Sequence, residues 1–249
     1  MWPTAVTDIN EGAIFVRGVP IESLMRDHTF GETLALLFSG RLPDDVESRI
    51  IEAVLVLAID HGATSPSALA ARTVVSGGAS PEVATVAGLL ALSKYHGAAV
   101  QGSARLLASI VNGDQTLSLD TRARNEVDRH LSAGERIPGF GHRVHSKDPR
   151  TTVLLELADR LQHDRTYIDA AYAVERAVEQ ALGRPLPMNL DTAIASALLP
   201  FIPVEMVLGV FMASRFCGVF MQASEESFRM KPMRKIVPGE WVYDGPAHS

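Results

Sequence analysis

The chain has 249 residues, enough for one or two domains at about 150 residues each and for a sizeable core. Hydrophobic residues make up 47% and charged ones 21%, which excludes a disordered chain. With 23 Lys and Arg against 29 Asp and Glu, the net charge of −6 argues against non-specific nucleic-acid binding, and one cysteine, Cys217, excludes an intrachain disulfide and a multi-cysteine zinc site.

The opening Met-Trp-Pro-Thr-Ala-Val-Thr-Asp lacks the basic and apolar regions of a signal peptide, and the lone cysteine suits a reducing compartment, so a cytoplasmic protein is expected. Residues 13–17 predict a strand between Gly12 and Gly18. Thr29-Phe-Gly-Glu32 reads as a capping box opening a helix that stops at Gly40. Asp44 to Glu47 opens another, expected to run through an apolar stretch to His61. Ser65-Pro66 and Ser80-Pro81 each place an N-cap before a proline at the first helical position. The helix after Pro81 is apolar all round as far as Lys94, which predicts burial on every side. Residues 117–133 predict a charged surface helix, and 151–163 and 167–182 two more, with Gly183 as a C-cap. Asp191 to Leu199 and Pro203 to Ser227 predict the last long helices, and the tail from Phe228 an irregular segment. The apolar run Ala195–Met221 is interrupted by Pro200, Pro203, Glu205 and Arg215, so a buried core helix is expected rather than a membrane span. The fold class is all-α with a small β element at its start.

Four places carry polar groups where bland residues are the norm. His96, in Lys-Tyr-His-Gly-Ala-Ala, reads as the end of a buried helix, where a histidine is either a satisfied core residue or a functional one. In Ile137-Pro-Gly-Phe-Gly-His-Arg-Val-His145 two glycines around a phenylalanine allow close backbone approach to a ligand. Arg143, Lys147 and Arg150 near His142 and His145 suit a polyanion, or else a solvated loop. Asn189 and Asp191 lead into an apolar helix, as caps or as chemistry. Arg215 stands alone from Val207 to Met221 and must face a carboxylate of protein or ligand. No Walker loop, G-x-S-x-G or H-E-x-x-H occurs, and His142 and His145 have no second ligand cluster to complete a metal site. Histidines, an aspartate and arginines without a metal suggest proton transfer on a polycarboxylate.

In that order, His96-Gly-Ala-Ala, Gly139-Phe-Gly-His142 followed by Asp148-Pro-Arg150, and Asn189-Leu-Asp191 resemble the motifs of the citrate synthase superfamily. Asp60-His61-Gly62 resembles its Asp-His-Glu segment with glycine for glutamate, and Ser214-Arg215-Phe216 its late Ala-Arg helix. The resemblance covers nearly the whole chain. It implies a helical fold with a small subdomain near 99–190 and a large one of 1–98 plus 191–249. It implies that His96, His142 and Asp191 are catalytic: Asp191 exchanging a proton with the acetyl methyl, His96 bonding the enolate oxygen, and His142 serving the carbonyl or hydroxyl. His61, Arg150, Arg215 and Asn189 would bind the carboxylate substrate. CoA would lie along Gly139, Phe140 and Gly141, with Arg143 and Lys147 at its phosphates.

Two departures shape the functional expectation. The short stretch 44–60 stands where full-length citrate synthases carry a long insertion, and this compact form resembles citryl-CoA lyases and the lyase module of ATP-citrate lyase. The family's C-terminal arginine is displaced here, leaving Arg229 and Arg234 as replacements. The resemblance therefore implies cleavage of citryl-CoA to acetyl-CoA and oxaloacetate. The alternatives are condensation of an acyl-CoA with a 2-oxo acid, or a non-catalytic CoA- or citrate-binding protein. The expected partners are the CoA thioester, as substrate and not cofactor, and a second copy of the chain in a homodimer or higher homo-oligomer. No nucleic acid, membrane, metal or other cofactor is expected.

Overall fold

The computed structural model describes residues 2–141, 148–234 and 239–245. It opens on three antiparallel strands, β1 (Thr7–Asn10), β2 (Ala13–Val16) and β3 (Val19–Pro20), ordered β1-β2-β3 with Val16 opposite Thr7 on one side and Val19 on the other. The strand predicted at 13–17 is thus the middle of a meander turning at Gly12 and Gly18, both at positive φ. Helices follow: α1 (Ile21–Asp27), α2 (Phe30–Ser39), α3 (Asp45–Ala58), α4 (Pro66–Ser76), α5 (Pro81–Leu90) and α6 (Ala99–Val111). The series continues with α7 (Leu119–Ser132), α8 (Pro149–Arg160), α9 (Thr166–Leu182), α10 (Leu190–Leu198) and, after a 3-10 turn, α11 (Val207–Arg229).

The helix starts follow their caps. Thr29 and Glu32 close a reciprocal capping box on α2, and Asp44 and Glu47 another on α3. Ser65 caps α4, whereas the Ser80 side chain makes no cap bond and α5 begins on Pro81. Gly40 and Gly183 end α2 and α9 in the left-handed conformation.

The chain forms two compact units, one of Met1–Ile59 and Ser93–Arg215, the other of Asp60–Leu92 and Phe216–Ser249. The boundaries expected at 98/99 and 190/191 both fall inside the first. In that unit α10 packs against α3, α6, α8 and α9, and every residue of it from Thr192 to Leu198 is buried. Ile194 and Leu198 meet a core that includes Leu107, Ile110, Ile168, Leu154 and Ile50, each buried aliphatic side chain contributing about 1.5–3 kcal/mol. The second unit builds a smaller core from Ala71, Val75, Ala84, Val219 and Ala223. There Gly88 permits close packing, since a Cβ on it would strike Val219 and the Ser67 carbonyl.

Several expectations are corrected. The helix expected through His61 ends at Ala58, which leaves His61 in a loop. The helix expected to run to Lys94 ends at Leu90 and is not buried all round: Val83, Val86 and Leu90 are exposed. His96 therefore ends no helix. Among the described residues one helical stretch, Val204–Arg229, is long and apolar enough to cross a membrane; 39% of its most apolar window is buried, so the core-helix expectation holds for part of its surface. The tail beyond Arg229 carries no helix or strand among its described residues.

Candidate active site

The site is built at the N-terminus of α10. Asn189 caps the helix by accepting the Asp191 amide on Oδ1 at 2.9 Å, and its Nδ2 donates to the Gly141 carbonyl at 3.2 Å. Its own amide donates to the Gly139 carbonyl at 2.9 Å, and the Gly141 amide to the Pro187 carbonyl at 2.8 Å. Gly139-Phe-Gly141 and Pro187-Met-Asn189 thus pair as a short antiparallel bridge, with Phe140 opposite Met188. Glu175 on α9 steadies it by accepting the Met188 amide at 2.5 Å.

Glycine is required on this loop. Gly139 and Gly141 have φ of +79° and +82°. A Cβ on Gly139 would collide with the hydroxyls of Ser103 and Thr192. Thr192 Oγ1 lies 2.8 Å from the Gly139 carbonyl oxygen and 3.1 Å from Ser103 Oγ, which itself donates to the Ala99 carbonyl at 2.9 Å. Ser103 and Thr192 are positioning residues that the sequence reading missed. Their one signal was a hydroxyl on an otherwise apolar helix face.

Asp191 follows the cap, in the first turn of α10. Burial pushes its carboxyl up to about 6, against the opposing charges of Arg215 and Arg150, while Asp148 adds to the rise. Desolvation therefore outweighs two guanidiniums, and the carboxyl can hold or release a proton close to neutrality.

The two arginines are held differently. Arg215 is 3% exposed, donates from Nε to the Ala58 carbonyl at 2.7 Å and stacks over the Phe211 ring at 4.7 Å. The carboxylate it was expected to face is supplied at least in part by Asp191, whose proton affinity it lowers. Arg150 pairs with Asp148 through Nε at 3.2 Å and Nη2 at 2.8 Å. The same Asp148 caps α8 by accepting the Arg150 amide at 2.9 Å, so Asp-Pro-Arg is a cap, a proline at the first helical position and a tethered guanidinium.

His96 lies in the same unit, in a tight turn before α6 where Ser93 and His96 exchange backbone hydrogen bonds of 2.7 and 2.8 Å. Gly97 leaves that turn at a φ of +81°. His61 belongs to the second unit, exposed in the Asp60–Gly62 segment. His142, His145, Arg143 and Lys147 lie outside the described residues. Of the segment expected along CoA, Gly139 and Phe140 are buried and serve packing, which leaves Gly141 as its partly exposed residue. Asn189, expected at the substrate, has both ends of its amide engaged within the protein. Of the arginines expected to replace the displaced one, Arg229 pairs with Glu225 and Arg234 with Glu226. Among the described residues no three His, Cys, Asp or Glu side chains gather as a metal site.

The first unit thus brings together a protonatable carboxyl, two guanidiniums and a glycine loop clamped to one helix start, with His96 on the turn into α6. The solved citryl-CoA lyase of Hydrogenobacter thermophilus superposes with a TM-score of 0.90 at 32% identity, covering 100% of this chain and 96% of that one. A Methanosaeta concilii ATP citrate lyase in complex with (3S)-citryl-CoA shares the fold, with a TM-score of 0.82 at 19% identity over 99% of this chain and 42% of the other. "Putative citrate synthase 2" of Mycobacterium tuberculosis is 32% identical over 212 residues, 82% of this chain and 53% of that protein. The chain spans about half the length of such curated relatives. The family described as "Citrate synthase, C-terminal domain" matches residues 43–236, and with the motifs around Asp191 standing inside that span, the chain belongs to the citrate synthase family.

Proposed function

We propose that the protein is a citryl-CoA lyase, cleaving citryl-CoA to acetyl-CoA and oxaloacetate. The observation that carries the proposal is Asp191, a carboxyl kept protonatable near pH 6 beside Arg215 and Arg150. Cleavage begins when the tertiary hydroxyl of citryl-CoA gives up its proton, a base role that falls to His142 on the sequence resemblance. The alkoxide collapses to the ketone of oxaloacetate, and the broken carbon–carbon bond leaves its electron pair on the acetyl-CoA enolate. Asp191 delivers a proton to the enolate carbon while His96 donates a hydrogen bond to the enolate oxygen. Arg215 and Arg150 hold substrate carboxylates; Nε and Nη2 of Arg150 are engaged with Asp148, and Nη1 serves the ligand. In this proposal the charges come from side chains, with no metal and no cofactor assigned and the thioester as substrate.

Structural likeness favours cleavage over condensation as the assignment. The chain superposes on a citryl-CoA lyase with a TM-score of 0.90, against 0.60 for the citrate synthase of Thermotoga maritima. The condensing reading survives on chemistry, since the same groups run both directions. Purified protein given citryl-CoA in one assay, and acetyl-CoA with oxaloacetate in another, tests the proposal. Rapid appearance of acetyl-CoA supports a lyase, net thioester hydrolysis with citrate formation supports a synthase, and binding of CoA without turnover in either assay makes the chain a binding protein. The proposal includes a cytoplasmic homodimer.

A further inference from the structure

The second unit contains a polar network that ends on the Asp60–Gly62 turn. Arg72, buried on α4, donates from Nε to Glu226 at 2.9 Å, and from Nη1 to Gln222 Oε1 at 2.7 Å and Glu225 at 3.1 Å. Arg234 grips the other side of Glu226 and donates its backbone amide to the Ser76 hydroxyl at 2.6 Å. Gln222 carries the network onward, because its Nε2 donates to Asp60 Oδ2 at 3.1 Å. The same oxygen accepts the Gly62 amide, also at 3.1 Å. A carboxylate bonded to the amide two residues on closes an Asx turn, and the middle residue of this turn is His61. Gly62 leaves it at a φ of +77°, and its carbonyl accepts the Ser65 hydroxyl at 3.1 Å, which joins the turn to the start of α4.

We propose that Gln222 is a positioning residue that locks the Asp60–Gly62 turn to α11 and so fixes the place of His61 within the second unit. Its amide has one workable orientation. Arg72 can only donate, so Oε1 faces it; the Asp60 carboxylate accepts, so Nε2 faces that. Arg72 is itself held by two carboxylates, and the guanidinium polarises the amide it touches, strengthening the bond passed on to Asp60. His61 is exposed on a loop rather than carried by a helix, so the anchoring of its turn contributes to its position. The inference rests on the lyase reading for the role of His61. The lock itself stands on the contacts alone.

The full chain carrying Gln222→Leu or Gln222→Glu tests this. Leucine removes both bonds at similar volume, and glutamate keeps an acceptor for Arg72 while setting a second carboxylate against Asp60. The expected result for either is a KM for citryl-CoA raised about tenfold with kcat within about threefold, the scale of losing one charge-assisted hydrogen bond. The Gly62 amide should exchange with deuterium about tenfold faster, with melting temperature little changed. His61→Ala should raise KM similarly, and adding Gln222→Leu to it should cost nothing more. A normal KM in both Gln222 variants, or effects of His61→Ala and Gln222→Leu that multiply, overturns the inference. If the unaltered protein fails to cleave citryl-CoA, the lyase reading falls by itself. Gly62 exchange then decides: faster exchange in Gln222→Leu sustains the lock, and unchanged exchange overturns it.

Discussion

The side-chain oxygen of Asn189 takes the backbone amide of Asp191 at 2.9 Å, so the residue that caps α10 and the residue proposed as its acid are neighbours with separate duties. Helix capping therefore does not account for the buried carboxyl two residues on. That carboxyl works against stability. Its pKa rises from 3.8 in the open chain to about 6 in the folded one, so the folded state binds the proton more tightly. Stability from this group is fully present below about pH 4 and is lost as pH rises through about 6.

Asp191→Asn should therefore stabilise the protein above pH 6 by on the order of 2–3 kcal/mol and change little near pH 4. Turnover should fall by roughly 10²–10⁴, with KM moving much less. Thermal melts at the two pH values, paired with steady-state kinetics, measure both. A variant within about threefold of normal turnover would remove Asp191 from the chemistry.

The direction of the reaction should be visible in its pH profile. Cleavage needs Asp191 protonated, so kcat/KM for citryl-CoA should decline as pH rises through about 6. Condensation needs the same group ionised, so kcat/KM for acetyl-CoA should climb to about pH 6 and level off. Opposite limbs at one pH would assign both to one carboxyl. Limbs of the same sign would exclude Asp191 as the shared group.

The helix starts were legible wherever a side chain announces them: Thr29 with Glu32, Asp44 with Glu47, Ser65 before Pro66 and Gly183 after α9 all act as their types predict. α6 was passed over because no side chain caps it at Ala98, and its buried face is written mainly in Ala, Ser and Leu. The reach of α5 was overread for the opposite reason: an apolar run continues past Leu90, but the backbone turns at Ser93 to pair with His96. The motif order singled out Asp191, Arg150 and Arg215, which the fold brings into one electrostatic neighbourhood. The tether between Arg150 and Asp148, and the hydroxyls of Ser103 and Thr192 against Gly139, depend on three-dimensional neighbours that spacing does not encode.

Arg215, the lone charge from Val207 to Met221, has the Ala58 carbonyl and the Phe211 ring as partners as well as the field of Asp191. Arg215→Met should cost about 1–2 kcal/mol of stability as the carbonyl loses its donor. Catalytic efficiency should fall by about 2–4 kcal/mol, the scale for losing one partner of a buried charged pair. Without its charge Asp191 should titrate above 6, carrying the pH limb with it. Normal efficiency with only a lowered melting temperature would make Arg215 structural.

Gly139→Ala tests the clamp between the glycine loop and α10. The substitution forces an L side chain to a φ of +79° and drives its Cβ into Ser103 and Thr192. Strain of about 1–3 kcal/mol for the backbone adds to overpacking of a similar size. Adding Ser103→Ala relieves part of the collision and none of the backbone strain, so the double variant should recover part of the lost melting temperature. Full recovery would locate the whole cost in the collision, and no recovery would locate it in the backbone.

On α5 the exposed side chains Val83, Val86 and Leu90 fall at positions i, i+3 and i+7, one stripe of a helix whose other face packs through Ala84, Thr85 and Gly88. An apolar stripe of this length facing water is unusual for a lone soluble chain, and the proposed homodimer gives it a cover. Sedimentation should show a dimer at micromolar concentration. Val86→Glu with Leu90→Glu should shift it to monomer, because two carboxylates per copy would otherwise be buried unpaired at a symmetric contact. The variant should keep its helical circular dichroism, since neither position belongs to the buried core. A dimer that survives both charges would place the interface elsewhere, and a monomer before any substitution would leave the α5 stripe for another partner.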